Sequence, residues 1–149
     1  MKLFLIIAGV ATVLFAGVVA LFVGSIFALT RPVVDASEQF LGQVAEGRLG
    51  EAYAATANEF RVHNDEASFA VAVNRLRLAE YASVFWHSRQ IENSNGTAEG
   101  TVTTKTGETR PVAVRLVRQD GRWAVAGLRY GGVDLTSINV PVAGEPEAR

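Results

Sequence analysis

VFWHSRQIENSNGTAEGTVTTKTGETRPVAVRLVRQDGRWAVAGLRY, residues 84–130, is the stretch that decides the fold. Apolar and polar side chains alternate through it with a period of two, as in strands that bury one face. Turn residues punctuate it at Asn95-Gly96, Thr106-Gly107 and Asp120-Gly121. Asn-Gly and Asp-Gly favour tight hairpins because both central positions of a type I′ turn need positive φ. The stretch therefore predicts four consecutive antiparallel strands over 84–92, 98–105, 111–119 and 122–130.

Register follows from the last turn. A two-residue loop at Asp120-Gly121 sets Arg118 opposite Trp123, Leu116 opposite Val125 and Val114 opposite Gly127. Val112, Val114, Leu116, Trp123 and Val125 then share the face that covers the first helix. Arg118 is placed for a cation–π contact with Trp123. Gly127 leaves a gap on that inner face, and Gly100 is placed to bend the second strand. A tight turn at Asn95-Gly96 would set Glu92 against Glu99, which like charges disfavour, so a longer loop is expected there.

Upstream of Ser83 the period changes to 3.6. Val33, Ser37, Phe40, Leu41, Val44 and Ala45 fall on one face of a first helix that stops near Gly47. A short second helix is expected over 51–57, and 58–64 reads as irregular or a very short strand. Asn64 or Asp65 caps a third helix running to about Tyr81, with Phe69, Ala72, Val73, Leu76 and Ala79 buried. Three helices and a curved four-stranded antiparallel sheet make an α+β domain over 31–132.

The chain before this domain is apolar from Leu3 to Leu29, between Lys2 and Arg31. About twenty apolar residues span a bilayer as a helix, and secretory signals carry a shorter core of about 7–15. Residues 1–30 therefore read as an uncleaved N-terminal transmembrane helix. The short leading tail favours keeping that end cytoplasmic, giving a single-pass inner-membrane protein with an extracytoplasmic domain. Ala8, Thr12, Ala16, Ala20, Gly24 and Ala28 recur every fourth residue and line one helical stripe. That stripe is either a packing face for a homodimer or larger complex, or a by-product of small residues being common in membrane helices. Residues 133–149 carry glycine, proline and charge without an apolar period and read as a disordered C-terminal tail.

Fourteen basic and fifteen acidic side chains leave a net charge of −1. That balance lacks the basic excess of a nucleic-acid footprint. With no cysteine there is no disulfide, thiol nucleophile or cysteine zinc site. No glycine-rich phosphate loop, nucleophile elbow or metal-ligand cluster occurs, so no cofactor, metal or catalytic residue is assigned. His63 beside Asp65 has the makings of a general base, or Asp65 serves only as a cap. His87 is the centre of a candidate ligand pocket with Tyr53, Tyr81 and Trp86, or else a half-buried strand residue. The arginines at 75, 77, 89, 115 and 118 bind an anion if they converge and otherwise form a solvated surface.

The order of three helices, the switch at Ser83-Val84-Phe85-Trp86 and the ending Asp120-Gly121-Arg122-Trp123-Ala124-Val125 resembles the NTF2-like (cystatin-like) superfamily. It is most similar to membrane-anchored bacterial domains of unknown function within it. Gly50-Glu51-Ala52-Tyr53 and Ser68-Phe69 carry the rest of the likeness, which covers about Val33 to Tyr130. The resemblance implies a curved sheet wrapped on a long helix, forming a cone whose mouth sometimes holds a ligand or active site. It also implies an extracytoplasmic binding, scaffolding or assembly role. Two functions stay open: a non-catalytic protein-binding domain at the bilayer, and a small-molecule or isomerase/hydratase-like pocket in the cone. The expected partners are the lipid bilayer and an unidentified protein or second copy.

Overall fold

The computed structural model describes residues 30–135. A boundary between two compact units falls between Pro32 and Val33, and the fold belongs to the second. The expected stripe from Ala8 to Ala28 and residues 136–149 lie outside the described residues. The described chain holds helices α1 (30–45), α2 (Leu49–Ala54), α3 (Asn58–His63) and α4 (Glu66–Arg75) and a 3-10 turn, Leu78–Glu80. The strands are β1 (Tyr81–Glu92), β2 (Asn95–Thr104), β3 (Thr109–Gln119), β4 (Arg122–Tyr130) and β5 (Val133–Asp134). They form one antiparallel sheet in the order β1-β2-β3-β4-β5.

This corrects the expected architecture on three counts. Five strands are present where four were expected, because Gly131-Gly132 turns the chain rather than ending it. Both glycines take positive φ, +57° and +87°, and Tyr130 pairs with Val133. Leu135 follows, buried, its N–H donating to the Leu128 carbonyl at 2.7 Å. Four helices rather than three stand among the described residues, since 58–63 is helical. Finally, no helix among the described residues is long and apolar enough to cross a membrane, and the segment expected to do so lies almost wholly outside them.

Heptad-like spacing on α1 buries Val33, Ser37, Phe40, Leu41 and Val44 as expected, and Ser37 Oγ donates back to the Val33 carbonyl at 2.8 Å. Each fully buried aliphatic side chain of this kind contributes about 2 kcal/mol of transfer free energy. Ala98, Val102, Val112, Val114, Leu116, Val125 and Leu128 of the sheet join the same core. Asp65 caps α4 by accepting the Ser68 N–H at 2.7 Å, and that bond holds its carboxyl below the usual range. Arg77 then takes φ +56°, which stops α4 short of Tyr81 and turns Leu78 inward in place of Ala79.

Three register shifts adjust the sheet, one of them at Ala82, between the Tyr81–Thr104 and Ser83–Thr103 pairs. The last hairpin forms at Asp120-Gly121 with both residues at positive φ, pairing Arg118 with Trp123 and Leu116 with Val125. An extra residue at Ala126 then shifts the register, so Val114 meets Leu128 and Gly127 meets the exposed Arg115 on the outer face. The first hairpin turns at Asn93-Ser94, with Asn93 at φ +55° and Glu92 opposite Asn95. Glu99 pairs with Ser88, so the two carboxylates never face each other. The remaining bulge, in β1, places His87 between Trp86, opposite Gly100, and Ser88.

Candidate functional site

The four residues expected to line a pocket are not brought together. Tyr53 packs on Phe69 with ring centroids 5.8 Å apart, and its hydroxyl donates to the Asn64 carbonyl at 2.8 Å. Trp86 is buried on the inner face and donates its indole N–H to Glu38 Oε1 at 2.9 Å. Tyr81 packs against the core, where burial and then the Glu38 charge push its hydroxyl pKa up. His87 faces the outer side instead, opposite to Trp86, in a groove of about 200 Å³ with Glu99, Pro111, Ala113 and Arg129. Strand alternation already sets His87 on the side of the exposed Phe85 and away from the buried Trp86, whereas the bulge changes the phase after it and pairs Arg89, expected on the same face as His87, with the buried Ala98.

An aromatic cluster packs in the core between helices and sheet. Phe69 sits at its centre, with Phe40 and Phe60 centroids each 6.1 Å away and Tyr53 on a third side. His63 is exposed on α3 with Nδ1 2.9 Å from the Glu59 carbonyl, while Asp65 is engaged as a cap. Among the described residues no three His, Asp or Glu side chains come together as a metal site.

An open cleft of about 290 Å³ lies elsewhere, between α1, the α2–α3 connection and the β3–β4 hairpin. Gln39 and Phe40 line one side, Thr56 and Arg61 a second, and Gln119, Asp120, Arg122 and Trp123 the third. Its walls are tied together. The Ala57 N–H donates to the Val125 carbonyl at 2.7 Å, and the Val125 N–H donates to the Ala55 carbonyl at 3.0 Å. Thr56 is buried in that bridge and donates Oγ1 to the Tyr53 carbonyl at 2.6 Å.

Arg61 is positioned by a relay. The Asn58 N–H donates to Gln119 Oε1 at 3.1 Å, and Arg61 Nη2 donates to Asn58 Oδ1 at 2.6 Å. Neither Arg61 nor Arg122 forms an ion pair among the described residues, whereas Arg48, Arg77, Arg110, Arg115 and Arg129 all do. The arginines named from sequence therefore do not converge: Arg77 is held by Glu80 and Arg115 by Glu59. Arg118, expected over Trp123, makes no ring contact among the described residues, and Arg110 lies over Tyr130 instead, 5.9 Å from its centroid. Sequence reasoning missed Arg61 because 58–63 was not read as a helix, which alone reveals the Asn58–Arg61 spacing.

No family model and no curated protein matches the chain. Among solved structures the chain is similar to a phospholipid-binding protein from Ralstonia solanacearum, solved in complex with a phospholipid. Identity is 12%, the TM-score is 0.44, and the match covers 72% of this chain and 80% of that one. A likeness at this level assigns neither fold family nor ligand to the chain.

Proposed function

We propose that this chain is a non-catalytic binding domain that works at a membrane and engages its partner through the cleft between α1 and the β3–β4 hairpin. One observation carries the reading: Phe40, Tyr53, Phe60 and Phe69 close the interior, while a recess with hydrogen-bonded walls stays open at the surface. A site for catalysis needs groups converging on a reacting atom. The alternative pocket of His87, Tyr53, Tyr81 and Trp86 lacks that convergence. The apolar run from Leu3 to Leu29 is the feature that would keep the chain at a bilayer, with the domain extracytoplasmic.

Two measurements test this. Cell fractionation should place the full chain in the membrane pellet after a high-salt wash; recovery in the supernatant would remove the membrane part. A photocrosslinking amino acid at Gln119, in the cleft, should give a discrete adduct in native membranes, and one at Val62, exposed on α3, should not. Equal labelling from both positions would sink the cleft as the binding face.

A further inference from the structure

The cleft presents two guanidinium groups from separate elements to one recess. Arg61 comes from α3 and Arg122 from the first residue of β4, and neither is neutralised by a carboxylate among the described residues. Gln119 spends its Oε1 on the Asn58 N–H, which leaves its two amide N–H donors without a partner among the described residues. Gln39 lines the opposite wall, and the half-buried Trp123 adds a flat apolar surface. Asp120 is the one carboxylate in the lining, on the hairpin turn between Gln119 and Gly121.

We propose that this cleft binds a phosphate group, held between Arg61 and Arg122, with the rest of the ligand against Trp123. The proposal rests on the cleft being the binding face and names the chemistry it recognises. A carboxylate is satisfied by a single bidentate arginine fork, whereas a phosphate offers enough oxygens for two forks and further amide donors. The positive groups outnumber Asp120, so an anion is attracted. The carboxylate repels it from the turn and thereby fixes the side on which it sits. A volume of about 290 Å³ lies at the low end for ligand sites, room for a phosphoester head and not for a whole large ligand. That head can belong to a free metabolite or to a lipid.

The chain has two tryptophans, so its indole N–H signals divide the test cleanly: Trp123 lines the cleft and Trp86 is buried and bonded to Glu38. The full chain in nonionic detergent is titrated with inorganic phosphate and with glycerol 3-phosphate, at ionic strength held constant with chloride. The expected result is a saturable shift of the Trp123 signal with Trp86 unmoved. Loss of one charged hydrogen-bonding partner weakens such binding about tenfold or more, so Arg61→Gln and Arg122→Gln should each do so, and Arg75→Gln on α4 should not.

Vesicles of phosphatidylcholine with and without phosphatidic acid identify the source. Competition by phosphatidic acid alone assigns a lipid headgroup, and no competition assigns a free phosphoester. A Trp123 signal that stays still with both soluble probes, moves equally with acetate, or responds in Arg61→Gln and Arg122→Gln just as in the unsubstituted chain overturns the proposal. If the Gln119 crosslink forms while phosphate is silent, the ligand class alone is wrong. If both are silent, the cleft reading falls with it.

Discussion

Gly96 of β2 lies against Val33 in α1: a Cβ on Gly96 would stand 2.7 Å from Val33 Cγ2 and 3.2 Å from Trp123 Cζ3. Valine is stiff about χ1, so it cannot swing away as a longer side chain would. Gly96→Ala should therefore cost about 1–3 kcal/mol, the usual range for overpacking. Val33→Ala made together with it should recover part of that loss. Urea unfolding of the single and double variants measures both, and a neutral Gly96→Ala would show that α1 seats differently on the sheet.

The same glycine shows where sequence reading succeeds and stops. Asp120-Gly121 was legible because its only task is the turn, so the β3–β4 hairpin and the Arg118–Trp123 and Leu116–Val125 pairs followed directly. Asn95-Gly96 carries the same local signal, yet Gly96 is spent on contact with α1 and the turn moves to Asn93-Ser94. Tertiary contact overrides local chemistry there. The apolar stripe of α1 was visible because burial and helical period agree at Val33, Ser37, Phe40, Leu41 and Val44. The cleft was not, since it needs three elements distant in sequence to meet. Its arginines look no different in the sequence from the paired ones.

Phe69 sits at the centre of the aromatic cluster on which the proposed binding role rests. Its ring is in contact range of Phe40, Tyr53 and Phe60 at once, and it is 1% exposed. Phe69→Ala should cost about 3–5 kcal/mol, the range for buried phenylalanine with partial collapse. The apolar void should take up benzene and regain stability, whereas the unsubstituted chain should not respond. Denaturant unfolding with and without benzene reads this. A cost under about 1 kcal/mol would mean that the interior is loosely filled.

Tyr81 should make the fold alkali-sensitive. Burial, then the Glu38 charge, disfavour its phenolate, so the folded pKa lies above the ordinary value of about 10. A raised folded pKa means that its contribution is complete below that ordinary value and is lost as pH rises through the folded one. Tyr130 acts in the same direction, raised by burial with Arg110 opposing. Tyr81→Phe should thus lose less stability than the parent between about pH 9 and 12, with a residual loss from Tyr130. Glu38→Gln keeps an acceptor for the Trp86 indole and should lower the Tyr81 midpoint only partway, because burial persists. Phenolate absorbance and Tm across that range check both. Parallel alkaline losses in parent and Tyr81→Phe would refute the assignment.

Gly100 faces Trp86 at the β1 bulge, and a methyl there would run into the Phe85 carbonyl oxygen and lie 3.0 Å from Trp86 Cε3. The obstacle is backbone, which cannot yield as the tip of a side chain does. Gly100→Ala should cost about 3 kcal/mol, the top of the overpacking range and more than Gly96→Ala. The strain falls on the β1–β2 ladder, so amide exchange should accelerate around Trp86 and Ser88 while β3 and β4 keep their protection. Because the cleft is built from α1, the α2–α3 connection and β3–β4, the Trp123 response to phosphate should survive in the variant. A variant that folds, frays at β1 and yet loses that response would show that the bulge and the cleft are coupled, against the separation of the two faces described by the sheet register.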